Sequence, residues 1–424
     1  MRKYIILFIV CGFHHWVALG QLEKAKLPLT INHEFFFEDS PSMSADKSTM
    51  IFVSNKYKNP MIADSLYDSP FNGIFISKRH YTGEFQPAEP INAINTHFVV
   101  SKVINAPSIS PDGNMILFSG VEKYSKTGED IFYSVRIKDT WSEPQNIGFE
   151  INSEGYDGAP SISADGKKIF FVREIPFRKI GEQQCYKIWF SERESINDKW
   201  ERPIQLPYPI NQGCENFPRI HSDGRTLFFS SIRGDGKVDY DIYKSVLQDD
   251  ESWSTPVNLK FLNTKKADTY VALNPCGNLL YFAWEGDIYS STVPQEFKMQ
   301  NILTFQGFVT DSLTSAPLAT QIIVKNRDNP NETIAVFESN ASDGRYTALL
   351  SPDKKYDFYL KMDDYYPKRI SVSQEGLNFC EVINTDIRLK PFPKPVPATS
   401  VMTNTPTFKI TTKQQRLESI KAKQ

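Results

Sequence analysis

Four carboxylates recur at one offset in a repeating sequence: Glu38, Asp157, Glu215 and Asp268 each stand three residues before a proline or its equivalent. Ile104 takes that place in the remaining copy. Converging carboxylates can hold a cation, accept hydrogen bonds from sugar hydroxyls, or divide acid and base roles between them. The chain has 50 acidic residues in 424, so four in five positions exceed what composition alone supplies. If the repeats are related by rotation, these side chains would ring one opening as an acidic rim, with carboxyl pKa values raised by mutual repulsion. Such a rim would suit a cation, a basic peptide segment or a sugar. The competing reading is that each carboxylate satisfies backbone amides at the start of its own repeat, or pairs with a nearby Lys or Arg.

The elements that would position them are legible as strands. Pro41-Ser42-Met43-Ser44-Ala45-Asp46 is followed by Pro107-Ser108-Ile109-Ser110-Pro111-Asp112-Gly113 and Pro160-Ser161-Ile162-Ser163-Ala164-Asp165-Gly166. Pro218-Arg219-Ile220-His221-Ser222-Asp223-Gly224 and Val271-Ala272-Leu273-Asn274-Pro275-Cys276-Gly277 continue the series. Each is a short strand ending in a tight turn, because Asp supplies a local hydrogen bond and Gly a positive φ. A second, wholly apolar strand follows every turn: Met50 to Val53, Met115 to Phe118, Ile169 to Val172, Leu227 to Phe229, and Leu279 to Phe282. A third recurs around Ile74, Ile131, Ile188, Ile242 and Ile288.

The fourth strand is expected to open with an aromatic near a proline: Phe85 with Pro87, Trp141 with Pro144, Trp200 with Pro203, Trp253 with Pro256. Proline removes a ladder donor, which suits an outermost strand. The fixed place of these tryptophans favours packing between blades over a sugar platform. The fifth copy lacks its fourth strand, and Leu27 to Asn32 resembles Ile204 to Asn211, so the N-terminal segment is expected to close the last sheet beside Ile288. The fold class is therefore all-β, a five-bladed propeller over residues 22–300, with a diverged sixth blade as the variant to test.

These repeats resemble the TolB-like, or WD40-like, propeller repeats of bacterial envelope proteins, whose hallmark is the Ser-x-Asp-Gly turn; Lys47 replaces the glycine in the first copy and Cys276 the aspartate in the fifth. From residue 304 to 390 the pattern is similar to the regulatory-type sandwich found beside zinc carboxypeptidases, carried by Gln306 to Asp311, Ile322 to Val324, Asp343 to Tyr346, Tyr356 to Leu360 and Ile387 to Leu389. The resemblance implies a seven-stranded Ig-like or transthyretin-like sandwich acting as a spacer, and no His-Glu-x-x-His accompanies it. Residues 391–424 are Pro/Thr/Lys-rich and are expected to form a solvated, disordered tail.

Met1-Arg2-Lys3 and the apolar run after it read as a signal peptide over residues 1–20, cut near Gly20/Gln21, with a lipid anchor at Cys11 disfavoured by the bulky Val10. The mature chain is then exported, periplasmic or outer-membrane associated, or secreted, with no transmembrane span. Cys185 and Cys214 are the pair expected to bridge if any do; isolated thiols packed as small hydrophobes are the other reading for these and for Cys276 and Cys380. A formal charge of −2 gives no field for nucleic acid. The expected partner is an envelope protein or peptide, or a cell-surface glycan, with no cofactor beyond a cation at the rim. Acidic residues repeated at one offset look like scaffold duplication, so the expectation is a binding protein and not an enzyme. The alternative is a glycoside hydrolase or lyase using funnel carboxylates, with Asp157, Glu215 and Asp268 first in line.

Overall fold

The computed structural model describes residues 24–57, 71–98, 103–122, 128–180, 183–196, 198–234, 238–372 and 382–393. The signal segment, Cys11, Cys380 and the tail after 393 lie outside the described residues. The chain is all-β, a ring of five antiparallel sheets followed by a two-sheet sandwich. The first blade runs Glu38–Met43, Thr49–Tyr57, Phe71–Lys78 and Glu89–Pro90, from the ring's centre outward. The second is Ile104–Ile109, Met115–Gly120, Asp130–Ile137 and Gln145–Asn146; the third is Asp157–Ile162, Lys168–Ile180, Gln183–Glu192 and Ile204–Gln205. Cys214–Ile220, Thr226–Ile232, Asp241–Val246 and Val257–Asn258 make the fourth. The fifth has Val271–Leu273, Leu279–Trp284 and Asp287–Thr292, and its outer strand is Ala25–Lys26 from the start of the described chain. Among the described residues there is no sixth blade.

The second strand of each blade is buried on both faces, as its unbroken apolar run requires. Five apolar clusters fill the five seams between blades. Phe52 and Phe75 meet Tyr281 and Ile288 where the ring shuts, while Phe170 and Val172 meet Leu227 and Phe229 between the third and fourth blades. Each fully buried aromatic or aliphatic side chain contributes about 1.5–3 kcal/mol, so the seams and not the short outer strands carry the stability. The Ser-x-Asp turns work as their residue types dictate. Ser44 and Ser163 donate to Asp46 and Asp165, and their hydroxyl oxygens accept the amides of Thr49 and Lys168. Lys47, which stands where the other turns have glycine, still adopts φ +61°.

One polar device recurs in all five blades. The first residue after each outer strand, Leu27, Ile91, Ile147, Leu206 or Leu259, donates its amide to the carbonyl of Ile288, Ile74, Ile131, Ile188 or Ile242 on the third strand. A turn follows, and an asparagine then returns to that same isoleucine. Asn32, Asn95, Asn152, Asn211 and Asn263 accept its N–H through Oδ1 at 2.8–2.9 Å. Their Nδ2 groups donate to its carbonyl at 2.8–3.0 Å. The side-chain amide thus stands in for one further residue of ladder, while the linker turns towards the next blade.

The aromatic that was expected to open each fourth strand lies upstream of it. Phe85 and Trp253 form isolated bridges to Arg79 and Leu247, and the proline that follows interrupts the ladder before a two-residue outer strand resumes. Proline has no N–H to give, so pairing breaks there. Trp253 packs edge-on to Phe170 across a blade seam, with centroids 6.4 Å apart. Cys185 and Cys214 form a disulfide joining the third blade to the fourth, and Cys276 is buried.

In the sandwich, one sheet orders Thr333–Glu338, Gln321–Asn326, Tyr356–Leu360 and Lys368–Val372. The other pairs Leu303–Asp311 with Arg345–Leu350 and, in parallel, with Val382–Asn384 and Ile387–Leu389. Those last two keep one register and are halves of a single strand, so the count is seven. The break falls where the Thr385 carbonyl crowds Gly307 so closely that a Cβ there would lie 2.3 Å from its oxygen. Ala45, Ala164, Ile302 and Leu349 join sandwich to propeller on the side of the Ser-x-Asp turns. Among the described residues no helix is long and apolar enough to cross a membrane.

Asn32 is the one latch that comes from the opposite end of the chain to the blade it closes. Asn32→Ala leaves the Ile288 amide buried and unpaired, and is expected to cost about 1–3 kcal/mol in urea unfolding. A loss no greater than that of an exposed Asn→Ala change would mean that apolar packing at Ile31 closes the ring unaided.

Candidate functional site

The four carboxylates of the repeat are buried, and each turns to its own loop. Glu38 accepts the His33 amide at 2.8 Å and the Ser54 hydroxyl at 2.7 Å. Asp157 accepts the Ser153 amide at 2.6 Å and Arg173 Nε at 2.7 Å. Glu215 takes the Gly213 amide at 2.5 Å, Lys187 Nζ at 3.0 Å and an Arg233 nitrogen at 3.2 Å. Asp268 accepts the Thr264 amide at 2.5 Å. Burial is the main cause that raises the carboxyls of Glu38 and Asp268, and the like charges that add to it are Asp287 and Asp241, not each other. The acidic rim expected from Glu38, Asp157, Glu215 and Asp268 is corrected accordingly: a carboxylate so placed gains more from nearby amides than from facing three like charges. Among the described residues no group of three or more His, Cys, Asp or Glu could hold a metal ion.

A different set of side chains gathers at the same end of the ring, from positions where the copies differ. Four inner strands bulge at one place, with left-handed φ of +49° to +53° at Ser40, Ala106, Ala159 and Phe217. Asp39 and Asn105 immediately precede two of these bulges. Two residues before the repeated isoleucine of each third strand stand Asn72, Glu129, Tyr186, Tyr240 and Gly286. Asn105 Nδ2 donates to Glu129 Oε1 at 3.3 Å, and the buried Oε2 has no hydrogen-bond partner among the described residues. Tyr156 and Tyr186 lie 4.9 Å apart, and Phe217 sits 4.0 Å from Tyr270 and 6.4 Å from Tyr240. Tyr156 fills the space over Gly158, where a Cβ would fall 2.6 Å from the phenol oxygen.

The electrostatics tie this cluster together. Burial pushes the Asp39 carboxyl up to about 6, against the Ser40 hydrogen bonds and the Arg219 charge that pull it down. Burial also raises Glu129, against its bond from Asn105. The Tyr270 phenol is raised by burial, then by Asp39, and further by Glu129, so both carboxyls act on one side chain. Tyr186 is pushed up to about 12 by burial and by Glu174 and Glu129. A carboxyl that titrates near 6, as Asp39 does, can hold or release a proton in mildly acidic solution. The signal for these residues in sequence is departure from the repeat: Glu129 occupies a position that is Asn, Tyr, Tyr and Gly elsewhere.

A larger cleft, about 740 Å³, lies between the second and third blades and the sandwich. Several of its charged groups are already engaged. Asp112 and Asp165 hold the Ser-x-Asp turns, and Arg193 donates to the Gly166 carbonyl while lying 4.3 Å over the Trp200 ring.

No family model matches the sequence. No curated protein matches it either. Among solved structures, TolB from Acinetobacter baumannii matches with a TM-score of 0.36 and 15% identity over 73% of this chain. This chain covers 65% of TolB, less than two thirds of that protein. An endo-arabinase from Bacteroides thetaiotaomicron matches with a TM-score of 0.44 and 13% identity, covering 64% of this chain and 98% of the enzyme. The catalytic domain of an α-L-arabinofuranosidase from Coprinopsis cinerea gives 0.38 and 8%, covering 64% and 97%. At such identities the likeness concerns the fold. The expectation that the chain is not an enzyme is corrected: most of the solved structures it is similar to are named as glycoside hydrolases or phosphorylases.

Asp39 titrates higher in the folded chain than its ordinary 3.8, so its stabilising share is full below about pH 4 and is lost as pH rises through about 6. Asp39→Asn does not titrate. Its stability relative to wild type is expected to rise by on the order of 2 kcal/mol between about pH 4 and pH 7 in urea melts. A difference that stays flat with pH would place Asp39 in contact with water.

Proposed function

We propose that the chain acts on a glycan at the tyrosine-lined mouth of the propeller, as a glycoside hydrolase or lyase whose carboxyls are Asp39 and Glu129. The observation that carries this reading is the buried Oε2 of half-buried Glu129, without a hydrogen-bond partner among the described residues, at the end of the ring where half-buried Asp39 and the rings of Tyr156, Tyr186, Tyr240 and Tyr270 also stand. Asp39, pushed up to about 6, keeps its proton in mildly acidic solution and is suited to protonate a leaving oxygen. Glu129, with one oxygen unpartnered, is the carboxylate placed to face the sugar directly or through water. The tyrosine rings supply faces for sugar C–H groups, and Asn72 and Asn105 supply amide edges for hydroxyls. An envelope or cell-surface glycan is the substrate class, in an exported protein. The Cys185–Cys214 disulfide supports an oxidising compartment.

The test is hydrolysis of a panel of aryl glycosides and envelope polysaccharides by the purified chain. Asp39→Asn and Glu129→Gln are each expected to lower kcat by about a hundredfold to ten-thousandfold with the fold intact by circular dichroism. The wild-type rate should fall as pH rises past about 6, when Asp39 loses its proton. Turnover that persists in both variants would move the chemistry elsewhere, and no turnover on any substrate would overturn the reading.

A further inference from the structure

We infer that the propeller channel holds a small monoatomic anion, a halide, between Arg219 and His221. This does not rest on the glycan reading, since the site lies deeper in the channel, towards the Ser-x-Asp turns.

Both residues break the repeat. Where the first three blades place Ser42, Ser108 and Ser161 on the inner strand, the fourth has Arg219; where they begin the turn with Ser44, Ser110 and Ser163, it has His221. Arg219 and His221 are 6% and 4% exposed. The guanidinium spans the channel, donating to the Pro160 carbonyl at 2.8 Å and the Pro107 carbonyl at 3.1 Å. Its Nε and the Nε2 of His221 are both buried with no hydrogen-bond partner among the described residues. Both side chains line one cavity of about 50 Å³, together with Ser42, Ser108 and Ser161, and no carboxylate lines it.

The polar side chains around that cavity are donors. The Asp223 amide lies 3.3 Å from His221 Nδ1 and donates to it in the tautomer that carries its ring proton on Nε2, which is the tautomer an anion in the cavity selects. If the ring is doubly protonated towards Asp223 Oδ2, 3.2 Å away, Nε2 still carries a proton. Ser42 and Ser161 already accept the amides of Ile109 and Ile220 through Oγ, so each has its hydroxyl proton left to give. An unpaired buried donor costs about 1–3 kcal/mol, and a ligand that only accepts would relieve several at once. A water molecule brings two protons that need acceptors, and a cation is repelled by Arg219. The volume is near one or two water molecules, which admits a halide and is too small for a phosphate or a sugar. Asp39, three residues before Ser42, acts on the Arg219 charge from outside the cavity.

Crystals of the chain grown or soaked in sodium bromide test this by anomalous diffraction at the bromine edge. The expected result is a peak inside the cavity within contact of Arg219 Nε and His221 Nε2. It should be lost in His221→Ser and in Arg219→Ser, each of which restores the residue the first three blades carry and so keeps the turn and strand chemistry. In solution, chloride should raise the thermal midpoint of the wild type by several degrees over gluconate at equal ionic strength, and neither variant should respond. A wild-type crystal without bromide in the cavity overturns the inference, as does a chloride response that both variants retain.

Discussion

A propeller whose first and last sheets do not join has two open edges, and in this chain the join rests on Asn32. Its side-chain amide bonds both polar groups of Ile288, and Leu27 adds a second donor to the same carbonyl. The same three bonds recur in every blade, so the device is not special to closure. What is special is that only in the fifth blade does the asparagine arrive from residues more than 250 positions away. Every other latch is local and forms as its blade folds, whereas this one pays the loop-closure cost of the whole ring. The apolar seam of Phe52, Phe75, Tyr281 and Ile288 then has both sides in place.

With the ring shut, the same residue type serves two ends according to its place in the repeat. Carboxylates at the repeated offset are consumed: Asp157 and Glu215 are bound by backbone amides and by Arg173, Lys187 and Arg233, and they hold the loops that lead into the inner strands. Carboxylates off the repeat are not consumed in this way. Glu129 keeps a bare oxygen, and Asp39 keeps a proton to about pH 6. Duplication of a blade copies what every blade needs, and a site for one ligand is needed only once. Chemistry is therefore found where the copies disagree.

The same division explains what could be read in advance. The strand order, the fivefold count and the N-terminal strand on the last sheet follow from periodic patterns, because each blade must bury the same faces. Asn32, Asn95, Asn152, Asn211 and Asn263 also recur, each after an Ile or Leu, and a reading attentive to polar repeats would have found them. The role of Glu38, Asp157, Glu215 and Asp268 could not be read in this way. A repeated carboxylate predicts convergence and local capping equally well, and only the direction of the side chain separates them. Asp39, Glu129 and Tyr270 come from three blades and share no motif, so their meeting is a product of the ring itself.

The channel adds the last constraint. Arg219 replaces a serine and fills the middle of the ring, bonding carbonyls of the second and third blades. Its charge pulls the Asp39 carboxyl down, yet that carboxyl still lies near 6 because burial is the larger cause. A serine at this position, as in the first three blades, would remove that charge. One large cation in place of a small hydroxyl thus holds the Asp39 carboxyl below where burial alone would put it and leaves an unpaired donor in the cavity it lines.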